Sequence, residues 1–108
     1  MKMKIWVDDV RPMPEGYTHH AYSVDAAVMM IESAEELGEK IELIDLDHDA
    51  GDYVKYGGDY IRLLDYLENH HNEWIKEMNT SFRIHSQNVV GRQNMQRIIH
   101  KNGWKLIN

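Results

Sequence analysis

The sequence predicts an α/β fold built on a parallel sheet, and three observations predict it. Short β-prone runs alternate with segments whose apolar residues recur every three or four positions, the order of strands joined by right-handed helical crossovers. The stretch "KIELIDL" (40–46) carries Ile41, Leu43, Ile44 and Leu46 almost without interruption, as a strand covered on both faces requires. The chemically unusual residues all fall just after strands: Asp8 and Asp9 after the first, Asp47, His48 and Asp49 after the third, His85 to Asn88 after the fourth. In open sheets of this class, ligands bind outside the carboxyl ends of the strands, where the strand order reverses.

The elements follow in order. "MKIWV" (3–7) is short and β-prone, and turn-forming "DDVRPMPEG" follows it. "YTHHAYS" (17–23) is a weaker strand. It ends at Ser23, an N-cap for a helix over "VDAAVMMIESAEEL" that Gly38 stops, with Ala27, Met30, Ile31, Ala34 and Leu37 on one face. After the strand over 40–46, the loop "DAGDYVKYGG" leads to Asp59, a second N-cap. One helix then carries Tyr60, Leu63, Leu64, Leu67, His71, Trp74 and Met78 at steps of three and four. "SFRIHS" (81–86) is a strand. Asn88 caps a helix containing Met95, Ile98 and Ile99 that ends near Asn102-Gly103, and "WKLIN" is a final strand.

The 108 residues are expected to form a single domain, residues 1–108, large enough for a hydrophobic core without staples. The absence of cysteine excludes disulfides, thiolate catalysis and thiolate zinc sites. A net charge of −6 argues against duplex nucleic acid as a partner, though not against a small phosphate pocket. No apolar run is long enough to span a membrane and no signal peptide is visible, so the expectation is a soluble cytoplasmic chain.

Carboxylates converging from separate strand ends repel one another until something neutralises them. A hard divalent cation does so well, and magnesium, which keeps several waters, needs only two or three carboxylates. Asp8, Asp9, Asp47 and Asp49 are the candidate metal ligands, with manganese as the alternative ion. "HSQNVVG" (85–91) supplies complementary chemistry: Ser86 and Asn88 offer donors, a helix start points free N–H groups at the same mouth, Gly91 permits close approach, and Arg92 adds a charge. Arg11 either binds an anion or neutralises the acidic pair. His48 and His85 are the histidines placed at the mouth, each a candidate general acid or base, since imidazole titrates near neutrality. Asp47 and Asp49 join them as candidate catalytic groups. His19, His20, His70, His71 and His100 read as solvated or packing residues, and Asp45, inside its strand, as no ligand. Tyr53, Tyr56 and the glycines at 51, 57 and 58 make a loop over the site, suited to act as a lid, to stack on a base or sugar, or to pack down.

An acidic pair after the first strand, an acid after the third and a hydroxyl residue after the fourth resemble the receiver domains of response regulators. More specifically, "DDVRPMPEG", "DLDHDAG" and "HSQNVVG" resemble the DD-x-R-x-x-P, D-H-D-x-G and H-S-x-N-x-x-G motifs of the cyclic-phosphate-processing receiver-like family, over essentially the whole chain. The resemblance implies a flavodoxin-like sheet in the order 2-1-3-4-5. It also implies binding or hydrolysis of cyclic phosphates, such as the 2′,3′-cyclic ends left by RNA cleavage. The loop "RPMPEG" replaces the first receiver helix, and the last receiver helix is expected to be lacking too. Lys105 lies inside the last strand rather than at its end, so the phosphoryl-binding role of the receiver lysine does not transfer. Val89 stands where the family often has proline.

The leading expectation is a metal-dependent phosphoesterase. In it Asp8, Asp9 and one or both of Asp47 and Asp49 hold the cation, His48 or His85 moves protons, and Ser86, Asn88 and Arg11 fix the phosphate. The rival is a receiver-like module that binds a phosphorylated ligand or accepts a phosphoryl group on Asp47 or Asp49.

Overall fold

The structure, a computed structural model, describes residues 2–108. Its strands are β1 (Lys2–Val7), β2 (His19–Ala21), β3 (Lys40–Leu46), β4 (Ser81–Ile84) and β5 (Lys105–Leu106). Its helices are α1 (Val24–Leu37), α2 (Ile61–His70), α3 (Asn72–Met78) and α4 (Val89–Lys101), with a 3₁₀ turn over Gly51–Lys55. The sheet is parallel throughout, in the order β2-β1-β3-β4-β5 that the resemblance implies.

That order decides where the helices go. The steps from β2 to β3, β3 to β4 and β4 to β5 all run across the sheet in one direction, so right-handed crossovers put their helices on one face. Accordingly α1 packs on α2, and α2 on α4. Met3, Ile5 and Val7 of β1, Ile44 and Leu46 of β3, and Phe82 and Ile84 of β4 point into that layer. They meet Ile31, Leu63, Leu64, Leu67, Met95 and Ile99. The single step in the other direction, β1 to β2, would put a helix on the opposite face. Residues 8–18 instead form a loop, as predicted for "RPMPEG".

The opposite face carries no helix among the described residues. Strand alternation sends Lys4 and Trp6 there from β1, Leu43 and Asp45 from β3, and Arg83 from β4. The apolar run over 40–46 is therefore covered on both faces by different means: helices on one side, the returning loop on the other.

Several local signals hold. Ser23 Oγ accepts from Ala26 N at 3.0 Å, Gly38 ends α1 at φ 70°, and Asn88 caps α4 by accepting from Gly91 N at 2.9 Å. Others are corrected. Asp59 does not cap α2: its carboxylate accepts from Ala50 N at 3.0 Å, bracing the loop, and the helix starts after Tyr60 with no side-chain cap. The single helix predicted over 60–78 is divided at His71, whose backbone leaves the helical region (φ −138°, ψ 17°) while its ring bonds Tyr66 Oη and Glu35. Leu37, predicted on the buried face, is exposed. The strands predicted over 17–23, 81–86 and 104–108 shrink to His19–Ala21, Ser81–Ile84 and Lys105–Leu106. The edge strands β2 and β5, and β4 beside β5, pair over few residues, and apolar character does not reveal where pairing ends. Among the described residues no helix is long and apolar enough to cross a membrane.

Replacing Ser23 with alanine removes the side-chain acceptor that caps α1. It should cost about 1 kcal/mol of stability in urea unfolding, with an unchanged denaturant slope.

Candidate functional site

Strand register assembles the site. Val7 pairs with Ala21 on one side and Leu46 on the other, and Leu46 pairs with Ile84. The ladder runs one residue further through Asp8 N to Ala21 O, Asp47 N to Val7 O, and His85 N to Leu46 O. Tyr22, Asp8, Asp47 and His85 thus emerge side by side at the carboxyl edge, astride the β1/β3 point where strand order reverses.

At the base of the site lies a buried charge relay. Asp8 and Asp45 are both 0% exposed. Between them His85 reaches Asp45 Oδ1 through Nδ1 at 2.7 Å and Asp8 Oδ2 through Nε2 at 2.8 Å. Both ring nitrogens can donate only as an imidazolium. Burial, the largest influence, pulls the His85 pKa down, but hydrogen bonds and charge from Asp45 and Asp8 outweigh it and raise it above the ordinary value. For Asp8, burial is again largest and pushes upward. The Arg11 and Val10 N–H groups, at 2.8 and 2.9 Å from Oδ1, and His85 prevail and hold the carboxyl below its ordinary range. Trp6 stacks on the His85 ring at 3.9 Å and 4° and donates from Nε1 to Arg11 O at 3.1 Å. Tyr17 donates its hydroxyl to Asp45 and meets Trp6 edge-on. With that donation and burial acting together, burial first, the Tyr17 pKa is pushed up to about 12.

Above the relay, Asp8, Asp9 and Asp47 offer carboxylate oxygens that all lie within 4.8 Å of one another. Asp49 is not among them. It faces His48, whose Nδ1 lies 2.9 Å from Asp49 Oδ1, and these two form a second group with Asp59. Asp9 has its pKa raised, first by burial and then by the charges of Asp8 and Asp47, against the opposing pull of its own N–H. Its carboxylate packs on Gly51, which adopts φ 55° and has no room for a Cβ on that side. Arg11 spans the mouth: Nη1 donates to His85 O at 3.2 Å and lies 3.7 Å from Asp8 and 3.9 Å from Asp47. It neutralises Asp8 and Asp47 rather than Asp9.

The third motif is partly spent on structure. Buried Ser86 accepts from Asn88 N at 3.1 Å and shapes the turn. A Cβ on Gly91 would fall 2.5 Å from the His48 ring, so this glycine seats His48 instead of leaving open space for a ligand. Asn88 Nδ2 lies 3.5 Å from both Asp49 oxygens and from His48 Nδ1, too far for strong bonds. Arg92 turns away from the acids: its Nη1 donates to Ser86 O at 3.1 Å and Ile84 O at 3.4 Å, beside a cavity lined by Arg83, Gln96 and Leu106.

Asp45, Trp6 and Tyr17 are the residues that motif reading passes over. Asp45 did carry a signal, because a carboxylate inside an otherwise apolar strand demands a buried partner. Trp6 and Tyr17 carried none, since their meeting with His85 depends on how the loop folds back.

A 2-1-3-4-5 parallel sheet with an acid cluster at its switch point defines a receiver-like domain. The family of the cyclic-phosphate processing receiver domain matches residues 3–101, and the chain belongs to that family. No curated protein and no solved structure matches it significantly.

In EDTA, NMR of the His85 ring should show a titration midpoint above 6.5, and Asp45→Asn should lower it. A folded pKa above the unfolded one gives stability that is fully present below 6.5 and lost as pH rises through the folded value. Urea midpoints should therefore fall as pH climbs above that range, and in His85→Gln that decline should vanish.

Proposed function

We propose that the chain hydrolyses a cyclic phosphate, such as a 2′,3′-cyclic RNA end or a cyclic nucleotide, at the Asp8, Asp9 and Asp47 cluster. The convergence of these three acids at the switch point, in a family that processes cyclic phosphates, is the observation that carries this reading. The residues fit a divalent cation, magnesium or manganese. The donor set is all hard carboxylate oxygen, Asp8 retains a lone-pair site after its three hydrogen bonds, and Asp9 sits in unrelieved negative charge. When bound, such an ion supplies positive charge against the charge developing on the phosphoryl oxygens.

The chain's own residues do the rest. Asp8 is held rigid and ionised by His85 and two backbone N–H groups, so the cluster is preorganised. His85, with both nitrogens on carboxylates, serves as a fixed cation and positioning residue. His48 suits proton transfer better: Asp49 orients it through Nδ1, and Nε2 has no protein partner among the described residues. Arg11, the Asn88 amide and the unpaired N–H groups of the first turn of α4 hold the phosphate for in-line attack. Water oxygen bonds to phosphorus, the bond to one ring oxygen breaks, and that oxygen takes a proton while the water loses one. The product is a monoester.

The test is phosphorus NMR of an oligonucleotide ending in a 2′,3′-cyclic phosphate, with magnesium or manganese and with EDTA. Conversion to a monoester that EDTA stops is expected, and Asp47→Asn should slow it by about two to three orders of magnitude. An unaltered rate in that variant would remove Asp47 from the site. By titration calorimetry, Asp9→Asn should weaken metal binding about tenfold or more. A receiver-type switch would instead show a gain of one phosphoryl group in intact mass after treatment with a small phosphodonor and magnesium, and no hydrolysis.

A further inference from the structure

Six tyrosines divide into two sets. Tyr17, Tyr60 and Tyr66 spend their hydroxyls on Asp45, Tyr22 O and Glu32. Among the described residues, the hydroxyls of Tyr22, Tyr53 and Tyr56 have no protein partner, and the three rings adjoin one another in a row that starts at Tyr22, next to Asp8 at the carboxyl edge. Tyr22 and Tyr56 are 45% and 47% exposed. The Tyr22 and Tyr53 rings are 5.7 Å apart at 41°, and those of Tyr53 and Tyr56 6.4 Å apart at 45°. Rings so inclined do not cover one another's faces; Tyr53 packs against the core and Lys55 Nζ lies 5.3 Å over the Tyr56 ring, so the open π surface is that of exposed Tyr22 and Tyr56.

The wall is tied to the cluster. Tyr22 follows β2 as Asp8 follows β1, and the two strand ends are in register. His20 stacks beneath Tyr22 at 3.9 Å and its Nε2 lies 2.9 Å from Asp8 O. The wall is also held in place: Tyr60 donates to Tyr22 O at 2.7 Å, Asp25 N donates to Tyr56 O at 3.0 Å, and Tyr53 lies in the 3₁₀ turn. A fixed aromatic surface binds a flat ligand without first ordering itself.

We propose that Tyr22, Tyr53 and Tyr56 form a nucleobase platform, so that the compound processed is a nucleoside cyclic phosphate whose base is held by stacking. This rests on the reading of the acid cluster as the phosphate-handling centre. A chain of net charge −6 has little positive surface for an extended phosphate backbone, and the neutral, flat part of the ligand is what this wall recognises. Stacking tolerates any base, because every base has a π face, and favours purines by their area.

The test compares KM for 2′,3′-cyclic AMP, 2′,3′-cyclic CMP and the base-free glycerol 1,2-cyclic phosphate, by phosphorus NMR with magnesium. The base-free ester should show a KM about tenfold or more above that of cyclic AMP, with cyclic CMP between them. Tyr22→Leu and Tyr56→Leu should draw the ratio of the two extremes toward one, and Tyr22→Phe should preserve it. Equal KM values in the wild type, or a ratio unmoved by the leucine variants, would overturn the platform. If the wild type turns over none of the three, the hydrolytic reading fails, and the platform is judged by proton NMR of intact cyclic AMP. Upfield ring-current shifts of the adenine protons, lost in Tyr22→Leu, would sustain it; no shift would overturn it.

Discussion

Two carboxylates with no solvent exposure share one imidazolium, and the rest of the structure depends on that bond. Asp8 and Asp45 come from adjacent strands, and His85 between them compensates both buried charges, helped by two backbone N–H groups at Asp8 and by Tyr17 and Arg83 at Asp45. The relay joins β1, β3 and the end of β4 across the sheet. It also gives Trp6 a flat surface to stack on, and this aromatic layer with Tyr17 seals the sheet face that lacks a helix. A β1–β2 connection without a helix can exist because the loop has something to lie against. The same ionic bond that shapes the site therefore closes the core.

The three motifs work as one interlocked unit. Gly51 of the second motif makes room for Asp9 of the first, and Gly91 of the third makes room for His48 of the second. Arg11 of the first spans Asp8, Asp47 and the carbonyl of His85. Each motif thus carries a residue whose purpose is to position a residue of another. Glycine at 91 is as constrained as any acid, although no chemistry belongs to it. The division of the second motif follows from the same packing: Asp47 turns to the acidic pair and Asp49 to His48, giving two neighbouring groups with different tasks.

Charge at the mouth is arranged in depth. The fully buried member, Asp8, is the one best compensated, by His85 below and backbone N–H groups beside it. Asp9, nearer the surface, keeps uncompensated repulsion, and that is where a cation gains most. Beyond the acids the surroundings turn aromatic. The wall of tyrosines flanks the β1 side, while the start of α4 flanks the β4 side with its N–H groups. A ligand that is anionic at one end and flat at the other matches that order.

The sequence by itself determined the parallel α/β class, the caps at Ser23, Gly38 and Asn88, the carboxyl-edge location of the site and the three motifs that name the family. These are local: they depend on periodicity, turn chemistry and residue order along a few positions. Sequence did not determine which of Asp47 and Asp49 joins the acid pair, that His85 is clamped while His48 Nε2 has no partner among the described residues, that Asp59 braces a loop rather than capping a helix, or that Arg92 serves backbone carbonyls. Each of those turns on where a side chain points once strands are paired. A register of a single residue, or a loop folding over one face instead of another, changes every such contact while leaving the pattern along the chain unaltered. Asp45 shows the boundary most clearly. Its place in an apolar strand demands a buried partner, and only the tertiary structure shows that the partner is His85, 40 residues away and one strand across.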